Sequence, residues 1–388
     1  MHLLKPAAIL LALPILLGSS LKNSAKNTFH TKTVAPGTSP KIQAAILLDV
    51  SNSMDGLIAQ AKAQLWNMVT VMAKAKCNDA APQIEIALYE YGSPRNDVKQ
   101  GYVKQVSAFT TDLDQLSKNL FSLTTNGGDE YCGQVIYNSV DELAWDTSAQ
   151  SYKVIFIAGN EEFFQGKITF TQACALASQK GIIVNTIYCG DSLQGIKEHW
   201  HLGAECGSGS FTNINQDAKI EDIPTPYDSS ILVLNKRLNS TYIGYGANGL
   251  VNSAKQEEVD KMNFTVSSSA GLKRTAVKAY ARAYNNANWD MVDATSADST
   301  FIARVDLKTL PDSLQNKSRE EIGKIVNAKS KERADIQKQI LTLNAQRQKF
   351  IVEERQKNTA NKNTQTLETA TEKIIRHQAS KFNMTIEQ

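Results

Sequence analysis

The 388-residue chain has almost no excess of either charge, few prolines, few cysteines and no long apolar run. Its 42 Lys and Arg against 39 Asp and Glu leave a formal charge of +3 spread over both signs, which favours neither a nucleic-acid patch nor a membrane-surface protein. Nine prolines and 21 glycines, beside 42% hydrophobic residues, exclude collagen-like, low-complexity and wholly disordered chains. At about 150 residues per domain the length suggests two or three units with a sizeable core. The longest apolar stretch, residues 6–17, is too short for the ~20 residues that cross a hydrocarbon layer as a helix.

That stretch follows Lys5 and precedes Gly18-Ser19-Ser20, small residues suited to signal peptidase, so residues 1–20 read as an export signal that is removed. An uncleaved anchor is the alternative. No Cys precedes Cys77, which excludes a lipid-modified amino-terminal cysteine. The mature chain is expected to be soluble in the periplasm or medium, an oxidising setting. Residues 21–40 are polar, end in Ala35-Pro36-Gly37-Thr38-Ser39-Pro40, and read as a linker. The five cysteines (Cys77, Cys132, Cys174, Cys189, Cys206) are an odd number whose pairing is not deducible. The favoured disulfide is Cys189 with Cys206, because the first ends a predicted strand and the second lies in the region that follows. Cys189, His199, His201 and Cys206 are zinc-ligand types, but their spacing matches no common zinc module.

Two regimes follow. Between residues 42 and 214, short apolar runs (42–48, 84–91, 154–158, 182–188) alternate with helical patterns (57–75, 113–120, 132–145, 169–180). Strands alternating with helices imply a doubly wound α/β fold, a mostly parallel sheet covered on both faces, with ligands beyond the carboxyl ends of its strands. The expected boundaries are 41–222 for this domain and 223–388 for a helical extension. In the extension, residues 318–357 carry mixed charge and an apolar stripe including Ile322, Val326, Ile336, Ile340 and Ile351. This reads as a long helix or helical hairpin packed on its neighbours, with a partner-binding coiled coil as the alternative.

The first apolar run terminates in Asp49-Val50-Ser51-Asn52-Ser53, a D-x-S-x-S turn leading into a helix. A carboxylate and two hydroxyls from one turn are hard oxygen ligands of the kind Mg²⁺ or Mn²⁺ prefers. The positive end of the following helix opposes a cation, so the carboxylate is needed to offset it.

With this turn, Gly127-Gly128 after the second helical segment, and the apolar strand at 154–158, the chain resembles the von Willebrand factor A (vWA) family over roughly residues 41–220. That family carries a metal-ion-dependent adhesion site (MIDAS). The resemblance implies that Asp49 holds the ion mainly through water, that Ser51 and Ser53 bind it directly, and that a partner's acidic group takes an open position. The wording of residues 123–133 and 185–191 is similar to a subgroup of exported bacterial vWA-domain proteins without an assigned activity. Two loops depart from the family pattern. Gly127-Gly128-Asp129 stands in place of G-G-T, and Ala158-Gly159-Asn160, followed by Glu161 and Glu162, in place of T-D-G. Asp129 is then the candidate direct ligand, with Asn160 or Glu161 as outer-shell substitutes and Thr124 or Thr125 as alternative hydroxyls. A degenerate, empty site is the competing reading.

Enzyme signatures are weak. Acids beside Cys132 disfavour its thiolate. There is no G-x-S-x-G elbow, and Gly207-Ser208-Gly209 lacks the lysine of a phosphate loop. Trp66 and Trp145 read as core, whereas Trp200 and Trp289, among polar residues, are candidates for surface contacts. The expectation is a non-enzymatic, metal-dependent protein-binding module of the bacterial envelope. Its partner would present an acidic side chain to a cation held by Asp49, Ser51, Ser53 and Asp129. The rivals are a metal-free scaffold acting through its helices and a metal-assisted hydrolase.

Overall fold

A computed structural model of the protein describes residues 40–77, 81–214, 223–357 and 367–386; the expected export signal and nearly all of the linker lie outside them. In chain order the first half forms β1 (Lys41–Asp49), α1 (Ile58–Met72), β2 (Ala75–Cys77), β3 (Gln83–Tyr91), β4 (Lys104–Thr110), α2 (Leu113–Ser122) and α3 (Cys132–Glu142). Then come β5 (Tyr152–Gly159), α4 (Phe170–Gln179), β6 (Ile183–Cys189), α5 (Ser192–Lys197), α6 (Trp200–Cys206) and β7 (Ser208–Ile214). The remainder is α7 (Asp228–Asn239), α8 (Gly249–Val266), α9 (Ser268–Lys278), α10 (Met291–Ala297), α11 (Phe301–Arg304), α12 (Asp312–Gln315), α13 (Arg319–Lys357), α14 (Leu367–Ser380) and β8 (Met384–Ile386).

Six strands make one sheet in the order β4-β3-β1-β5-β6-β7, and all its pairings are parallel except that of β4 with β3. β1 lies at its centre, so both faces of the strand are covered and its sequence is apolar almost throughout. The one polar interruption, Gln43, is satisfied: its amide donates to Glu85 at 2.6 Å and its carbonyl accepts from the Asp146 N–H at 2.6 Å. Alternation along β1 sends Ala44, Ile46 and Leu48 to one face, against α1 and α2, and Ala45 and Leu47 to the other, against α3 and α4.

The four apolar runs are the four central strands. β4 and β7 escape that reading because, as edge strands, they bury little and carry polar residues.

The helical half packs on the α1/α2 face. Val277 of α9, Ile375 and Ala379 of α14, and Met384 of β8 join the core there, and β8 pairs antiparallel with β2. α14 lies against the sheet itself: Gln378 accepts from the Tyr152 hydroxyl at 2.8 Å and exchanges amide bonds with Asn185 at 3.1 and 2.7 Å. Residues 319–357 are one unbroken helix, α13, whose stripe Ile322, Val326, Ile336 and Ile340 packs within this chain on residues of α7, α9, α10 and α12. Among the described residues, no helix is long and apolar enough to cross a membrane.

Two sequence expectations fail here. Trp200 and Trp289 are buried, with indole N–H groups donating to the Glu161 carbonyl at 2.8 Å and to Asn286 at 3.1 Å, so neither offers a surface contact. All five cysteines are unpaired, and Cys189 does not meet Cys206. Strand alternation turns Cys189 toward the α1 face, whereas α6, which ends at Cys206, packs through Trp200 on the other.

Candidate functional site

Three loops meet at the carboxyl end of the central strands. The first, after β1, forms a 3₁₀ turn over Asn52–Met54. It is tied to its neighbours by backbone bonds, Val50 N–H to the Tyr91 carbonyl at 2.9 Å and Asn126 N–H to the Val50 carbonyl at 2.7 Å. Asp49 ends the strand fully buried, one oxygen (Oδ1) accepting from the Ser51 N–H at 2.8 Å. Its other oxygen, Oδ2, is buried without any hydrogen-bond partner. The Ser51 and Ser53 hydroxyls lie 2.8 Å apart; Ser53 donates to Asn160 Oδ1 at 2.9 Å, and Asn160 Nδ2 donates back to the Ser53 carbonyl at 3.0 Å. The third loop thus reaches the first through Asn160, one of the two residues expected as outer-shell substitutes.

The second loop brings in Glu130. Gly92, at φ +81°, passes so close that a Cβ there would lie 2.8 Å from Asp49 Oδ1, 3.1 Å from Glu130 Cγ and 3.4 Å from Ser51 Cβ. Gly128 needs the same bareness, since its Cβ would meet the Gly92 carbonyl oxygen at 2.5 Å. The chain therefore closes over Gly92 and seats Glu130, which is buried, beside Asp49 and Ser51. Asp129 points away: it is exposed and accepts from the Tyr131 hydroxyl at 3.1 Å. Thr125 donates to Asp55, and Thr124 accepts from Arg95 at 3.3 Å, so both hydroxyls are engaged elsewhere. Glu130 is the residue missed by sequence reading. Nothing in the spacing signalled it, because its place depends on the close approach of Gly92 and Gly128.

The electrostatics are those of crowded acids. Burial, reinforced by Glu161 and only partly offset by bonds from Ser51, pushes Asp49 up to about 7. Burial, then Asp49 and Glu161, push Glu130 up to about 8. The charges that weigh most on both are other carboxylates, so the acids of the cluster repel one another. Burial first, then Asp49 and Glu130, drive the Cys132 thiol upward, as expected for a structural cysteine.

These groups fit a hard divalent cation. Asp49 offers an orphaned oxygen, Ser51 and Ser53 two adjacent hydroxyls, and Glu130 a second carboxylate. Among the described residues no three or more His, Cys, Asp or Glu side chains group as metal ligands, and a site half built of hydroxyls would not form such a group. Nor do Cys189, His199, His201 and Cys206 come together as a metal-binding group. His199 instead stacks on Phe164, with centroids 4.1 Å apart.

No family model and no curated protein matches the sequence. Several solved structures are similar. BatB from Bacteroides thetaiotaomicron is 16% identical, covering 45% of this chain and 90% of that one, with a TM-score of 0.34. A von Willebrand factor type A protein from Catenulispora acidiphila is 14% identical, covering 46% of this chain and 39% of that one, with a TM-score of 0.34. Proximal thread matrix protein 1 from the mussel byssus, described with a zinc-occupied MIDAS motif, is 13% identical, covering 46% of this chain and 43% of that one, with a TM-score of 0.34. In the chain itself, the strand order, the single antiparallel edge strand beside β3, and a D-x-S-x-S turn closing the central strand define a vWA-like α/β fold over residues 41–214.

Proposed function

We propose that the vWA-like domain is a non-enzymatic protein-binding module of an exported bacterial protein, docking its partner through Mg²⁺ or Mn²⁺ at the Asp49 turn. Asp49, Ser51, Ser53 and Glu130 would hold the ion, with Asn160 positioning Ser53 and Glu161 adding charge from the third loop. When bound, the ion supplies one exchangeable position for a carboxylate of the partner. The observation that carries this reading is the buried, unpartnered Oδ2 of Asp49 amid carboxyls that repel one another. Such a cluster is unfavourable alone and is relieved by a cation.

Two carboxylates on a doubly charged ion, with Glu161 near them, leave it weakly electrophilic, so affinity for an acidic partner is expected to be modest and selectivity to rest on surrounding contacts. Titration calorimetry with Mn²⁺ tests the assignment. Asp49→Ala is expected to abolish binding, Glu130→Gln to weaken it at least tenfold, and Asp129→Asn to change it by less than about threefold, as a charge-assisted ligand outweighs a solvated one. Equal effects of the Glu130 and Asp129 substitutions would return Asp129 to the ligand set. Unchanged Mn²⁺ binding by Asp49→Ala would remove the cation site. Partner capture lost with chelator, and no turnover on an ester and phosphate panel, are the matching outcomes for binding without catalysis.

A further inference from the structure

Helices α4 and α6 pack together on the sheet face that Cys189 does not reach. Cys174, buried in α4, directs its thiol at α6, with Sγ donating to the Gly203 carbonyl oxygen at 3.8 Å. Cys206 stands three residues beyond Gly203 and so on the same side of that helix. It is only partly buried, and after burial itself its thiol is the neighbour that drives the Cys174 thiol upward. On its other contact α6 is held against the third loop: a Cβ on Gly203 would lie 2.3 Å from the Phe163 ring.

We propose that Cys174 and Cys206 form a disulfide between α4 and α6 when the folded chain meets a disulfide oxidant. The exchange balances. The more exposed Cys206 thiolate attacks the oxidant's S–S bond, forming a mixed disulfide and releasing one thiolate. Cys174 then loses its proton to water, and its sulfur displaces the second thiolate from Cys206. Two protein thiols are oxidised to one disulfide, and the oxidant's disulfide is reduced to two thiols. The bond closes a loop of roughly thirty residues that contains β6 and α5. It also fixes the helix whose Trp200 donates to the Glu161 carbonyl at 2.8 Å, so the third loop of the cation cluster gains a cross-linked support.

The test equilibrates the full chain with oxidised glutathione, denatures and alkylates it, and maps thiols by mass spectrometry. Two of the five thiols are expected to become unreactive, and a non-reducing digest to contain one peptide joining Cys174 to Cys206. Cys174→Ser and Cys206→Ser each remove that peptide. The oxidised chain is expected to melt about 5 °C above its reduced form, a shift that Cys206→Ser abolishes. Five alkylated thiols, glutathione retained on Cys206 alone, or a peptide joining Cys189 to Cys206 overturn the assignment. None of these readouts involves the cation, so the outcome is independent of whether the Asp49 turn binds one.

Discussion

Asp49 is a carboxylate buried at the end of a central strand with one oxygen unpaired, an arrangement that works against the metal-free fold. Its folded pKa of about 7 lies above the ordinary 3.8, so the native state holds the proton longer than the unfolded chain. The resulting loss of stability is absent below about pH 4, grows through the interval, and is complete above about pH 7, reaching on the order of 4 kcal/mol. Glu130, raised to about 8, extends the window upward, although the two carboxyls titrate as a pair and their effects do not simply add. In chelator, the melting temperature is therefore expected to fall between pH 5.5 and pH 8. Asp49→Asn should flatten that fall, adding roughly 1–2 kcal/mol at pH 8 while removing any stabilisation by Mn²⁺. Thermal melts at the two pH values, with Mn²⁺ and with chelator, decide it. A wild-type chain whose metal-free stability rises toward pH 8 would contradict the assigned burial.

At the scale of elements, α14 is the one whose place was least expected. Gln378 joins it to β5 and β6 through the Tyr152 hydroxyl and the Asn185 amide, all buried. Gln378→Leu leaves the Tyr152 hydroxyl and Asn185 Nδ2 unsatisfied, while Asn185 Oδ1 keeps the Ser210 N–H, and is expected to cost about 2–4 kcal/mol by urea denaturation. A smaller loss follows if Tyr152→Phe accompanies it, because the orphaned hydroxyl is then removed. The central strands were legible from their apolar runs, and the first turn of the site from its three oxygen-bearing residues. β4, β7, α14 and the Glu130 contact were not. Edge strands such as Lys104–Thr110 carry no apolar signature, and α14 docks through a polar amide that resembles any surface glutamine in sequence. Glu130 reaches the cluster only because bare backbone at Gly92 and Gly128 lets two loops touch, a proximity that spacing does not encode.

The described residues of the α/β and helical halves belong to one compact unit. Arg274 of α9 bridges them, donating to Asp114 of α2 at 2.8 Å and to Asp260 of α8 at 2.6 Å, while Lys278 donates to Asp260 at 2.8 Å. These groups are nearly inaccessible to water, so Arg274→Ala leaves Asp114 with the Tyr284 hydroxyl but without its cationic partner and Asp260 with Lys278 as its remaining ion pair, and is expected to cost about 3–5 kcal/mol. Because both halves share this network, wild-type unfolding should be a single transition by circular dichroism and by tryptophan fluorescence. Two separated transitions would show that the halves unfold independently. The bond between Tyr152 and Gln378 spans 226 positions of chain. A ribosome adding some 5–20 residues per second leaves β5 waiting on the order of ten seconds or more for that partner. During that time the face of the sheet already packed by α1 and α2 lacks the part of its cover that α14 supplies, an invitation to a chaperone.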